Sequence, residues 1–182
     1  MYMKKKIFTF CFFTFLLLLI TGCTQKTVDP KPKEEKSNRP VADGVAFEAT
    51  ELEFYLPSDF QKSPTNGMLG VYEYYTGELK DMKATGIDVV VLIDALEEEF
   101  VWEDYIQTEA PAVKEGVTLK KKTLNDSDWY VGEKENIHYY YSVFRGNKYE
   151  VTIQMNDDSK DLYEDTIQMF EKTMYFEELE AN

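Results

Sequence analysis

Residues 137–155 read IHYYYSVFRGNKYEVTIQM, and this stretch decides the fold. Ile137–Phe144 and Tyr149–Met155 are β-branched and aromatic runs of strand length. Gly146-Asn147 lies between them and is a hairpin signal, because both residue types tolerate positive φ. Strands joined this tightly pair antiparallel. Outward on one side, Val117–Leu124 and Trp129–Glu133 read as two more strands. Outward on the other, Asn156-Asp157-Asp158-Ser159 supplies capping side chains for a helix. Leu162, Tyr163, Thr166, Ile167, Met169, Phe170 and Met174 then form a broad apolar stripe at helical spacing.

Further upstream, Leu52, Phe54 and Leu56 alternate with polar positions in a half-buried strand that Pro57 ends. Pro64 to Gly67 favours a turn, and Leu69–Tyr75 (LGVYEYY) reads as the next strand. Ile87–Ile93 (IDVVVLI) is apolar throughout except for Asp88, which predicts a central strand covered on both faces. Trp102–Val113 changes to helical spacing through Trp102, Tyr105 and Ile106, with acidic residues ahead of it. Pro111 ends or bends this helix. The expected class is α+β: a largely antiparallel sheet of about six to seven strands with two helices packed on it. The apolar strand 87–93 favours helices on opposite faces.

Three stretches carry a resemblance: LEFYLPSDF (Leu52–Phe60), IDVVVLI followed by WEDYI, and the closing YEVTIQM…DLYEDTIQMFEKTMYF. Together the pattern resembles the PsbP-like fold across most of residues 50–176. The resemblance implies an α/β/α sandwich and a non-enzymatic assembly or binding role, as in the extrinsic photosystem subunit, its Ran-binding eukaryotic relatives and many small lipoproteins. No functional residue carries over from it.

The N-terminus states an address. Lys4, Lys5 and Lys6 precede an uncharged apolar run, Ile7–Ile20, which is shorter than the ~20 residues that span a bilayer. Ile20-Thr21-Gly22-Cys23 resembles the bacterial lipobox, which implies cleavage after Gly22 and a diacylglyceryl anchor on the Cys23 thiol. The expected division is a signal peptide at 1–22, a lipidated cysteine and tether at 23–46, and one domain at 47–182. The tether holds Pro30, Pro32 and Pro40 and no aromatic residue before Phe47, too little apolar surface to offset the entropy of ordering. Of the two cysteines, Cys11 leaves with the signal, so no disulfide and no catalytic thiol remain.

The net charge is −14, and −17 once the three signal lysines are removed. Such a charge repels nucleic acid and anionic headgroups, which excludes DNA and RNA as partners.

Chemistry-bearing residues were weighed against structural roles. His138 is the sole histidine and sits in an alternating strand with no nucleophile elbow near it, so packing is favoured. Glu97-Glu98-Glu99 with Glu103 and Asp104, and Asn156-Asp157-Asp158 with Asp161, Glu164 and Asp165, lack the spacing and glycine of a calcium loop and read as helix starts. Lys120-Lys121-Lys122 reads as protection of a sheet edge. Tyr72, Tyr74, Tyr139, Tyr140 and Tyr141 place phenols on both strand faces; ordinary strand filling is favoured, and the outward ones are the candidates for a surface that stacks on a glycan or peptide. No metal, cofactor or catalytic residue is implied. The expected function is a lipid-anchored, extracytoplasmic, non-catalytic binding or accessory module for a protein or envelope component. Two alternatives are a receptor for a cation or small ligand and, behind it, an envelope glycan hydrolase built on two carboxylates.

Overall fold

The computed structural model describes residues 44–81 and 83–177, so the signal, Ile20, Thr21, Gly22, Cys23 and most of the tether lie outside the described residues. The chain runs β1 (Val45–Ala49), β2 (Leu52–Leu56), β3 (Gln61–Lys62), β4 (Val71–Tyr75), β5 (Leu79–Lys80), β6 (Lys83–Ala84) and β7 (Ile87–Ala95). Next come α1 (Trp102–Asp104), a π-helical turn (Tyr105–Glu109) and α2 (Pro111–Lys114). The rest is β8 (Lys120–Leu124), β9 (Ser127–Lys134), β10 (Ile137–Phe144), β11 (Asn147–Met155), α3 (Lys160–Thr173) and β12 (Tyr175–Phe176).

The main sheet is seven-stranded, in the order β3-β4-β7-β11-β10-β9-β8, and every pair in it is antiparallel. Its second half is a meander of two-residue turns. In the last of these, Phe144 pairs with Asn147, and Arg145 and Gly146 hold φ of 48° and 76°. The positive φ therefore falls on Arg145-Gly146, one residue earlier than the sequence suggested, because Asn147 is needed as the first pairing residue of β11. The lysine strand β8 is indeed an edge, and the opposite edge, β3, is two residues long; both devices discourage pairing with another chain.

Strand β2 does not join this sheet. It pairs with β1 and β12 in a separate three-stranded sheet. Strand β1 starts at Val45, two residues ahead of the expected domain start, because Val45 and Ala46 pair with Leu56 and Tyr55. The main core lies between the large sheet and this layer of β2 and α3. Phe54 of β2 meets Phe170 of α3 at 5.1 Å and Tyr74 of β4 at 5.4 Å between ring centroids. Ile87, Val89, Val91, Tyr140, Val151 and Ile153 line the sheet side. Each such side chain contributes roughly 1.5–3 kcal/mol on burial.

The opposite face of the sheet is covered over part of its width. Ile106, Ala110, Ala112 and Val117 pack with Tyr139 and Tyr141 of β10 in a second cluster. The two helical segments thus sit on opposite faces. The upstream one is not a single helix. The π turn closes with Ala110 N–H donating to the Tyr105 carbonyl, Ala110 adopts ψ 134°, and Pro111 then opens α2 at its first position. Proline lacks the N–H of a helix interior, and the first turn is where that lack is harmless. Beneath the π turn, the buried Lys148–Glu150 pair lies at 2.5 Å, and the Tyr105 hydroxyl donates to Glu150 at 2.7 Å.

Cover on this face thins along β7: Tyr75 of β4 is buried beside Asp88, Asp88 and Val90 are half-buried and Leu92 is exposed, while Ile87, Val89 and Val91 are buried on the other face. The expectation of a strand covered on both faces is therefore corrected: β7 is central in the sheet but half-open. Among the described residues no helix is long and apolar enough to cross a membrane.

Candidate functional site

The tyrosines singled out in the sequence do not form a surface. Tyr74, Tyr139, Tyr140 and Tyr141 are all buried. Alternation puts Tyr140 against the main core and Tyr139 and Tyr141 against the second cluster, so both faces of β10 are used internally. Their phenols are structural clamps. The Tyr74 hydroxyl donates to the Glu48 carbonyl at 2.5 Å, Tyr139 to Glu115 at 2.9 Å and Tyr140 to Glu171 at 3.3 Å, while Tyr141 accepts from the Ala112 N–H at 3.2 Å. Burial, reinforced by Glu115, pushes the Tyr139 phenol up to about 12. Tyr72 alone of the five is not buried; its hydroxyl lies 3.3 Å from Thr50 Oγ1.

His138 sits in the wall of a groove of about 620 Å³ lined by Lys120, Lys122, Glu133, Lys134 and Glu171 among others. Its Nε2 lies 3.3 Å from Glu133, and its buried Nδ1 has no partner. Burial holds its pKa below the usual histidine value against the pull of Glu133 and Glu171. The lysines are partly committed: Lys122 pairs with Glu171 at 2.6 Å and Lys134 donates to the Glu115 carbonyl at 3.0 Å.

The acidic runs also fall into local roles. Glu103 and Asp104 occupy the first turn of α1, and Asp161 that of α3. Asp157, rather than Asp158, takes the backbone donor before α3, from Ser159 N–H at 2.9 Å. No group of three or more metal-ligating side chains occurs among the described residues.

A different surface stands out at one end of the main sheet. Ser63 to Tyr72 (SPTNGMLGVY) carries no charge in a chain that is 30% charged. Within this run Met68 is 62% exposed and Leu69 96%. Val71 and its cross-strand partner Leu92 continue the patch at 37% and 38%. The tip is not loose. Gly67 N–H donates to the Val71 carbonyl at 2.8 Å, Val71 N–H to Met68 at 3.0 Å, and Ile93 N–H to Gly70 at 2.9 Å. Asn66 Oδ1 takes the Glu73 N–H at 2.7 Å. Gly70, at φ 73°, lets the backbone lie directly against the Ile93 carbonyl, where a Cβ would collide. Leu69 itself is held at φ 53°, an uncommon conformation for a bulky side chain.

Tyr72 joins this rim to a hollow of about 410 Å³ that it lines with Glu48, Thr50, Lys62 and Asn66. The rim can supply apolar contact area and one amphipathic ring. Leu69 lies ahead of β4, not at the start of a strand as its hydropathy suggests, since an exposed Met-Leu looks the same in hydropathy as a buried one. The turn at 64–67 is legible, but the ten-residue gap in charge and Gly70 extend the turn region to Val71, and exposure of Met68 and Leu69 is not a sequence signal.

No protein-family profile matches the chain, and no curated protein sequence matches it. Solved structures do. The chain is similar to the solution structure of cyanobacterial PsbP (CyanoP) from Synechocystis sp. PCC 6803, at 12% identity and a TM-score of 0.45, over 78% of this chain and 98% of that one. It is also similar to a crystal structure from Bacteroides thetaiotaomicron VPI-5482, at 14% identity and a TM-score of 0.43, and spans about half (51%) of that longer chain.

Proposed function

We propose that this chain is an extracytoplasmic lipoprotein, anchored through Cys23, that acts as a non-catalytic accessory module by docking a protein at the 63–72 rim. The anchor reading rests on the residues Ile20-Thr21-Gly22-Cys23. The observation that carries the docking reading is the rigid, uncharged tip presenting Met68 and Leu69 outward. An apolar patch fixed by the backbone and rimmed by polar residues is the signature of an interaction site. By contrast, the phenols of Tyr105, Tyr139 and Tyr140 and the Glu150 carboxylate are engaged in internal hydrogen bonds.

The test has two arms on the full chain expressed in its native cells. Mass spectrometry of the purified protein is expected to show Cys23 as the N-terminus with diacylglyceryl attached. Residues 1–22 retained, or Cys23 bare, would overturn the location. Gentle solubilisation of membranes followed by affinity capture is expected to co-purify one protein in fixed proportion, and recovery of the chain alone would overturn the accessory role.

A further inference from the structure

We infer that the partner presents an apolar pocket rimmed by lysine or arginine, and that Leu69 is the side chain it swallows. This rests on the docking reading above and adds the partner's chemistry.

Leu69 bears two costs at once. Its side chain is 96% in water, and its φ of 53° puts Cβ in a crowded left-handed conformation. The backbone cost belongs to a two-residue turn, closed by the Val71 N–H to the Met68 carbonyl and shared with Gly70, but nothing inside the fold covers the side chain, which belongs to neither core cluster. Burial against another molecule removes the exposure of the side chain, and the hydrogen bonds at Gly67, Gly70 and Val71 mean that little backbone entropy is lost on docking.

The size of the patch selects the kind of occupant. Met68, Leu69, Val71 and Leu92 are four side chains, two of them little more than a third exposed. That falls well short of the ~800 Å² per partner of a stable flat interface. Pairing of two copies through this patch alone is therefore too small, and two copies of the chain without its signal lysines, at −17 each, repel. A protruding side chain with a small apolar collar instead suits insertion into a concave pocket, the usual geometry of an anchor residue.

Charge selects the pocket's rim. Glu73 follows Val71 on the same face of β4, and Asp94 follows Leu92 on the same face of β7. Glu97, Glu98 and Glu99 follow Leu96, whose N–H donates to the Gly146 carbonyl at 2.8 Å, so β7 leaves the sheet beside the turn that holds Arg145; Lys62 is a further cation on this side, in the hollow beside Tyr72. Lys148 answers Asp94 at 3.4 Å but is also engaged by Glu150 at 2.5 Å. The apolar tip thus rises from a surface with carboxylates in excess. A partner with basic residues around its pocket gains from them, whereas an anionic bilayer surface is repelled.

The test is photo-crosslinking in native cells with p-benzoylphenylalanine placed at residue 69, at residue 68, and at residue 135 in the turn at the far end of the sheet. Positions 69 and 68 are expected to give the same single protein adduct, with none from 135. Sequencing the adduct should place the link in an apolar segment flanked by lysine or arginine. With that partner purified, L69S is expected to weaken binding about tenfold or more, and E73K with D94K to weaken it further, with less dependence on salt. Adducts to phospholipid alone, to a second copy, or to a segment without basic neighbours would overturn the inference. If capture recovers a partner but positions 68 and 69 do not link to it, the rim assignment falls while the accessory role stands. If neither finds a partner, both fall.

Discussion

Asp88 shows how one residue departs from the rule of its neighbours. It interrupts an otherwise apolar strand, and it points to the open face, where Tyr75 and Gln154 are its cross-strand partners. Its Oδ1 is buried without a hydrogen bond. Desolvation first, and Glu73 second, push its pKa up to about 6 from 3.8. The folded protein therefore binds a proton between those values that the unfolded chain has released. Stability falls as pH rises through that window, and above pH 6 the ionised carboxylate is a standing penalty. The shift corresponds to at most about 3 kcal/mol, and partial access to solvent reduces this to about 1–2 kcal/mol. Asp88→Asn is expected to raise stability by that amount at pH 7.5, with the gain vanishing by about pH 4. Urea unfolding at the two pH values measures it. An equal gain at both would show that the charge is not the cause.

At the scale of elements, α3 is the piece whose role was most legible. The stripe through Tyr163, Thr166 and Phe170 is buried as its spacing predicts, and Phe170 sits between Phe54 of β2 and Tyr140 of β10. Phe170 thereby ties the small sheet, the helix and the main sheet together. Phe170→Ala is expected to cost about 3–5 kcal/mol, because rings on both sides cannot close the cavity. The denaturation midpoint should drop with its slope unchanged; a loss under about 1.5 kcal/mol would mean that α3 can reseat. The antiparallel meander was equally legible, since strand runs and two-residue turns are local signals. What escaped the sequence was non-local. Strand β2 alternates as expected, yet its sheet is fixed by Val45–Ala49 and Tyr175–Phe176, at the two ends of the described chain. The segment 102–114 has helical spacing, but Pro111 divides it by starting a turn instead of ending one. The tyrosine runs fill the strands, as the favoured reading has it, and only Tyr72 stays outside the core; period-two patterning shows which residues share a face, not whether another element covers it. The rim was invisible as a site because exposure of Met68 and Leu69 depends on what does not pack against them.

At the scale of the whole molecule, the excess of acid over base sets a response that no single contact explains. The chain has 34 acidic and 20 basic residues, and several ion pairs, such as Lys80–Glu78, Lys114–Glu109 and Lys121–Asp128, have side chains more than half exposed. Each of these contributes only about 0–1 kcal/mol, so screening them removes little. The well-shielded Lys148–Glu150 pair is screened far less. Repulsion among the unpaired carboxylates is spread over the surface and is weakened strongly as the screening length falls from ~30 Å at 0.01 M salt to ~3 Å at 1 M. Net repulsion favours the expanded chain, so its removal favours the folded one. The melting temperature of the chain lacking residues 1–22 is therefore expected to rise by about 2–5 °C between 0.01 and 0.5 M sodium chloride at pH 7.5. The rise should shrink toward pH 4.5, where many carboxylates are protonated in both states. A melting temperature that falls with salt at pH 7.5 would mean that specific ion pairs outweigh the general repulsion.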